Sequence, residues 1–232
     1  MRSEEVEEVR KLRIFQGVAE EHVQKIIRPG FLQRFPAGVD LVQEGDLPDF
    51  LHVVVEGRVE VYSSYCHRET TISVIGSGQC FILAAVLLDR VHLKSARSLT
   101  PAKILLLPAE LVRSVFAEDA AFARCLASDL AISYRSVIKE LKNQKLRTGI
   151  ERLANWLLAY RSENNGANCL QLPFEKKVLA AHLGMAPEVL SRSFATLVAH
   201  KVKVKGAQIQ INDVEALRRL ARPAVTIDDP NS

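Results

Sequence analysis

No stretch of this 232-residue chain is apolar for long enough to cross a bilayer. The longest runs, "FILAAVLL" and "KILLLP", fall far short of the roughly 20 residues that a membrane helix needs. The opening "MRSEEVEEVRKLRIF" is charged and has no apolar h-region, so a cytoplasmic protein with no membrane partner is expected. Cysteine is scarce. Cys66, Cys80, Cys125 and Cys169 contain no C-x-x-C pair, which argues against a zinc finger or a disulfide framework and for reduced, mostly buried thiols. Paired carboxylates, a nucleophile beside a base and a phosphate-binding glycine loop are all missing in usable order, so no catalytic residue is assigned and an enzyme is not expected.

The composition that remains, 48% hydrophobic and 25% charged, is that of an ordinary globular protein with room for one large domain or two smaller ones. Its net charge of +4 is unevenly placed. Between Phe174 and Arg222 stand nine basic residues and four acidic ones, an excess larger than that of the whole chain. A basic C-terminal quarter on a near-neutral body is the electrostatic footprint of a DNA-binding module.

From Ile14 to about Leu107 short β-type runs alternate with turn glycines, clearest in Val53, Val55, Val59 and Val61, which predicts an antiparallel barrel or jelly roll. From Pro108 the period changes to that of helices. A long one, from about Ala120 to Gln144, carries Phe122, Leu126, Leu130, Tyr134, Val137 and Leu141 at three- and four-residue intervals between strongly polar flanks. Such a narrow seam suits a dimer helix, with Leu126, Leu130, Tyr134, Val137 and Leu141 as its contacts. After another helix, "FEKKVLAAHLGMAPEVLSRSFATLVAHKVKVKGAQIQI" reads as helix, tight turn at Gly184, helix, then a hairpin turning at Gly206: a helix-turn-helix with a β wing. In the second helix Leu190, Phe194 and Leu197 form the core stripe, and Glu188, Ser191 and Arg192 share the other side, the side a recognition helix presents to the major groove.

With these elements in this order, the chain resembles the CRP/FNR family of bacterial transcription regulators from "LRIFQGVAEEHVQKI" to "INDVEALRRLA". The most specific parts are "FPAGVDLVQEGDLPDFLHVVVEGRVEVY", similar to the opening strands of a cyclic-nucleotide-binding-type β-roll, and the E-x-x-S-R pattern at Glu188, Ser191 and Arg192, similar to the FNR and DNR branches. The resemblance implies an α+β chain: a β-roll sensor domain at 1–117, a dimerisation helix at 118–145, a winged helix-turn-helix at 146–222 and a disordered tail at 223–232. It implies a homodimer on double-stranded DNA with TTGAT-type half-sites in inverted repeat, RNA polymerase as a further partner, and an effector held in the roll. Arg192 has the forked donors for guanine, glutamate can accept from cytosine, and serine can contact thymine or phosphate. Lys176, Lys177, Lys201, Lys203 and Lys205 would hold the DNA backbone without reading sequence.

The effector is less determined. The family's G-E-L triplet for a cyclic nucleotide's ribose falls on Leu83, Ala84 and Ala85 here, and its R-S pair for the phosphate on Lys94 and Ser95. Losing the carboxylate argues against cAMP. An effector pocket of Phe81, Ile82, Leu83, Ala84, Lys94, Ser95, Phe122 and Leu126, with Val86 and Leu87 beside them, would be apolar enough for haem, with His67, Cys66 or His92 as axial ligand. Nitric oxide sensing through haem is the leading specific expectation, an unknown apolar effector or none at all the others. A cAMP-responsive regulator, or a cyclic-nucleotide-binding module acting through a protein partner, stands as the alternative.

Overall fold

The computed structural model describes residues 3–229, which divide into two compact units on either side of the Tyr134–Arg135 bond. The first opens with helices α1 (Ser3–Arg10) and α2 (Glu20–Ile27). Strands β1 (Phe31–Phe35), β8 (Ala102–Pro108), β3 (Phe50–Glu56) and β6 (Cys80–Phe81) form one antiparallel sheet in that spatial order. A second contains β2 (Asp40–Val42), β7 (Ser95–Ser98), β4 (Val59–Tyr65) and β5 (Arg68–Ile75). Strand alternation sorts the apolar residues onto two faces. Val54, Val59, Val61, Phe81, Ala96 and Ile104 fill the space between the sheets, whereas Leu51, Val53, Leu105 and Leu107 face the helices. Against that outer face pack α2, α3 (Leu83–Leu88), α4 (Ala109–Glu118) and the start of α5 (Ala120–Leu146).

Asp119 starts α5, because its Oδ1 accepts from the Ala121 and Phe122 amides at 2.8 and 2.9 Å. Its Oδ2 lies 2.8 Å from His22 Nδ1 and accepts from the Ala19 amide. The His22 bond and then these amides hold the Asp119 carboxyl well below the usual carboxylate range, as hydrogen bonds to the charged form do.

The second unit takes in the end of α5, then α6 (Gly149–Glu163), β9 (Cys169–Gln171), α7 (Lys176–His182), α8 (Pro187–Leu197), β10 (Val202–Lys205), β11 (Gln208–Ile211), α9 (Val214–Ala221) and α10 (Val225–Asp228). Thr148 and Glu151 form a reciprocal capping box at the start of α6, and Pro187 occupies the first turn of α8, where its missing N–H leaves no bond unmade. Leu153, Leu157, Leu179, Leu190, Phe194, Leu197 and Leu217 meet in one core.

Two expectations change here. The long helix forms no compact unit of its own, since the division falls inside it at Tyr134 and Arg135. The segment 223–229 is not a disordered tail. Arg147 donates to Asp228 through both guanidinium arms, one at 2.7 Å, Lys139 Nζ donates to the Asp229 carbonyl at 2.6 Å, and Lys142 Nζ to Thr226 Oγ1 at 2.8 Å. Composition alone reads Ala224 to Asp229 as polar chain, because the cations that hold it lie about 80 residues earlier. Pro230, Asn231 and Ser232 lie outside the described residues.

The Arg147 side chain is only 8% exposed, so Asp228→Ala leaves a buried guanidinium with part of its bonding lost. The expected cost is about 1–3 kcal/mol. It should appear in calorimetry of the full chain as a lower transition for the second unit, with the first unit unmoved; an unchanged transition would show that the strap adds nothing.

Candidate functional site

The face of α8 divides as its sequence dictates. Leu190, Ser193, Phe194 and Leu197 are buried, and Glu188, Ser191, Arg192, Ala195 and Thr196 are exposed. Glu188, Ser191 and Arg192 therefore stand together on the open side of the first two turns. Among the described residues no ion pair joins Glu188 to Arg192, so the guanidinium remains available to an outside acceptor. The turn before α8 depends on Gly184 at φ +61°, a left-handed conformation favouring glycine; a Cβ there would collide with the Gln144 side chain.

Arg152 secures the same turn. Its Nε donates to the Leu183 carbonyl at 2.8 Å, Nη2 to that of Gly184 at 3.3 Å, and Nη1 to that of Arg147 at 2.7 Å. Sequence reasoning passed over this residue, and no local signal marks it, because its acceptors are backbone atoms brought to it by folding.

All five candidate backbone-contacting lysines are exposed. Lys176 and Lys177 sit on the first turn of α7, and Lys176 Nζ lies 5.5 Å from the centre of the Phe194 ring. Lys203 and Lys205 alternate with Val202 and Val204 along β10, whose inner residue Val202 is fully buried. Lys201 begins the wing at φ +63°, and its carbonyl accepts from the Asn212 amide. These lysines are carried by α7 and by the β10–β11 hairpin, the elements next to α8 in the chain.

The structure does not assemble the expected effector pocket. Phe81 and Ile82 lie in the core between the sheets, while Leu83 joins Phe122 and Leu126 in the separate core beneath the helices. Phe122 and Leu126 are fully buried, and the Phe122 ring stacks on Phe15 with centroids 6.3 Å apart. Ala84 faces solvent. Ser95 pairs with Tyr62 and Ala96 with Val61 across the β4–β7 ladder, so Ala96 enters the core and Ser95 takes the opposite face, where its Oγ accepts from the Glu44 amide at 2.9 Å. Lys94 is partly buried, and that burial pushes its ammonium below the ordinary lysine range. Sequence pattern marked these residues as apolar or polar but not which of two cores each one enters.

The backbone also moves the triplet by one residue. A glycine in such a motif supplies positive φ, and the left-handed residue here is Ile82, at φ +60° before α3, while Leu83 is already helical. Ile82 thus holds the glycine place and the buried Leu83 the carboxylate place. A β-branched residue in this region is strained.

The residues do not fit haem. Cys66 and His67 form the two-residue turn between β4 and β5, both with positive φ and both exposed. His92 is buried, with Nδ1 lacking a partner, and burial lowers its pKa. A single buried imidazole does not make the site, because the expected pocket residues fall into two separate packed cores. Among the described residues no three or more His, Cys, Asp and Glu side chains gather as a metal site.

Residues 32–119 match the cyclic nucleotide-binding domain family and residues 151–220 the Crp-like helix-turn-helix domain; together the two matches span about two thirds of the chain. The chain belongs to the CRP/FNR family. It is therefore a DNA-binding transcription regulator rather than an enzyme. It is 23% identical over 216 residues to the CRP-like cAMP-activated global transcriptional regulator of Mycobacterium tuberculosis, covering 90% of this chain and 96% of that one. With the cyclic AMP receptor protein of Thermus thermophilus it shares 25% over 212 residues, with the same coverage. The structure of FixK2 from Bradyrhizobium japonicum shares the fold at a TM-score of 0.74 and 20% identity, over 84% of this chain and 98% of that one. No helix among the described residues is long and apolar enough to cross a membrane.

Proposed function

We propose that this CRP/FNR-family regulator works in the cytoplasm as a homodimer on an inverted-repeat operator with TTGAT-type half-sites, contacting RNA polymerase from the bound site. The observation that carries this reading is the open face of α8, where Glu188, Ser191 and Arg192 stand clear of the core. Arg192 would grip guanine O6 and N7, Glu188 would accept from a cytosine amino group, and Ser191 would meet a thymine edge or a phosphate. Lys176, Lys177, Lys201, Lys203 and Lys205 would neutralise phosphates on either side.

The dimer contact is narrower than the sequence stripe. Leu126 is fully buried and Leu130 packs on the sensor core, which withdraws both from the seam. Tyr134, Val137, Ile138 and Leu141 remain 68%, 54%, 38% and 51% exposed. Val137 and Ile138 each lie three or four residues from both Tyr134 and Leu141 along α5, so the four share one face. The partner proposed for that face is a second copy of the same helix.

A cyclic nucleotide is not the proposed effector. Leu83 replaces the ribose acceptor, and the buried Ser95 hydroxyl already accepts from the Glu44 amide. The proposal is therefore a roll that transmits structure rather than one that encloses a nucleotide.

The test is a pair of substitutions on an operator obtained by selection from random DNA. Arg192→Ala should cost about 1–3 kcal/mol and relax specificity at one base pair, whereas Lys203→Ala should weaken every sequence alike and flatten the salt dependence. Equal losses for Arg192→Ala on selected and scrambled DNA would remove Arg192 from base reading.

A further inference from the structure

The sensor unit has an open cleft outside the roll. It lies between the segment that follows α1 and the first turns of α5, and holds about 310 Å³. Arg13 and Gln16 form one wall; Arg124, Cys125 and Ser128, which share a face of α5, form the other. Two guanidiniums line this space and no carboxylate does. The larger cleft of the second unit, about 530 Å³, differs in kind, since Glu151 and Asp213 stand among its cations.

The two arginines are prepared differently. Arg13 is anchored, because its Nη2 donates to Asp129 Oδ1, and the Asp129 side chain is 7% exposed. A guanidinium carries five N–H donors, so one bond to Asp129 fixes the group and leaves most of its donors unused. Arg124 is exposed and enters no ion pair among the described residues. With one positive charge neutralised by Asp129 and one left over, the cleft has the charge to receive an anion, and Gln16 and Ser128 add hydrogen-bonding groups.

We propose that this cleft binds a small anionic metabolite whose carboxylate or phosphate group is shared by Arg13 and Arg124. The occupant joins the segment after α1 to α5, the helix that carries the dimer face. Its regulatory consequence rests on the reading of the chain as an operator-binding dimer; the binding itself does not.

Cys125 supplies the readout. It is half-buried in the cleft, with Sγ 3.4 Å from the Gln16 carbonyl, while Cys66 and Cys169 are exposed elsewhere. The full chain is labelled with a small neutral thiol reagent in titrations of inorganic phosphate and of succinate at constant ionic strength, and each cysteine is followed by peptide mass mapping. At ten times the half-saturating concentration, Cys125 labelling should slow about ten-fold in the presence of at least one of the two anions, by mass action. Cys66 and Cys169 should be unaffected. Protection by phosphate alone or succinate alone identifies the headgroup and supports the site.

Arg124→Gln should abolish the protection, Arg124→Lys should restore part of it, and Lys203→Ala should leave it intact. Protection that survives Arg124→Gln, equal slowing of all three cysteines, or no saturable protection by either anion overturns the proposal. Saturable protection with unchanged operator affinity overturns the regulatory consequence and keeps the site. Failure to bind any operator, with protection intact, overturns the DNA reading instead.

Discussion

Leu141→Asp should convert the protein to a folded monomer and reduce its affinity for an inverted-repeat operator by about 10²–10⁴-fold, the range over which linked binding exceeds that of a single module. Leu141 is half-exposed on a face shared with Tyr134, Val137 and Ile138, so a carboxylate is readily solvated in the single chain. In a dimer the same carboxylate faces its symmetry mate across a desolvated contact, because a two-fold interface brings the same patch of both copies together. The cost there is like-charge repulsion added to the burial of an unpaired charge. Sedimentation velocity and operator titration on one preparation give the outcome, with circular dichroism to show that helix content is kept. A variant that remains dimeric and binds with wild-type affinity would place the dimer contact elsewhere. The alternative in which only reading-helix contacts are disturbed is separated by a single half-site, on which Leu141→Asp should bind like one subunit of the parent protein.

The second large effect concerns the sensor. Phe122→Ala should destabilise the first unit by about 3–5 kcal/mol, the ordinary cost of deleting a buried aromatic ring. Phe122 is fully buried, stacks on Phe15 and shares its core with Leu126, Val86 and Leu83. If Phe122 instead lined a cavity kept open for haem or another apolar ligand, its ring would have fewer neighbours to lose. Truncation would then cost under about 1.5 kcal/mol, within the range of mild core changes. Urea unfolding followed by the calorimetric transition of the first unit distinguishes these cases. A small change would restore the apolar effector pocket that the packed structure removes.

Much of the fold was legible because its signals are local. Alternation through Val53, Val55, Val59 and Val61, turn glycines between strands, and the change of period after Pro108 need only neighbours along the chain, and they correspond to β3, β4 and the helices from α4 onward. The two faces of α8 were legible for the same reason: spacing alone separates Glu188, Ser191 and Arg192 from Leu190, Phe194 and Leu197. The effector pocket failed because hydrophobicity marks burial without naming the partner. Phe81 and Phe122 look alike in sequence, yet one fills the gap between two sheets and the other the space under the helices. The triplet failed by one residue because φ is not written in the side chain, and an isoleucine stands at the left-handed position.

By itself, then, the sequence determined the element order, the exposed polar face of α8 and the basic character of the chain around it, since helix and strand periodicity are properties of neighbouring residues. Tertiary structure alone decided which part of α5 stays exposed, that Arg152 holds the Gly184 turn, that Asp228 returns to Arg147, and that Arg13 and Arg124 share a cleft. Each of these depends on residues about 30 to 110 positions apart, and such contacts arise only when the chain closes long loops whose ends carry no mark of one another.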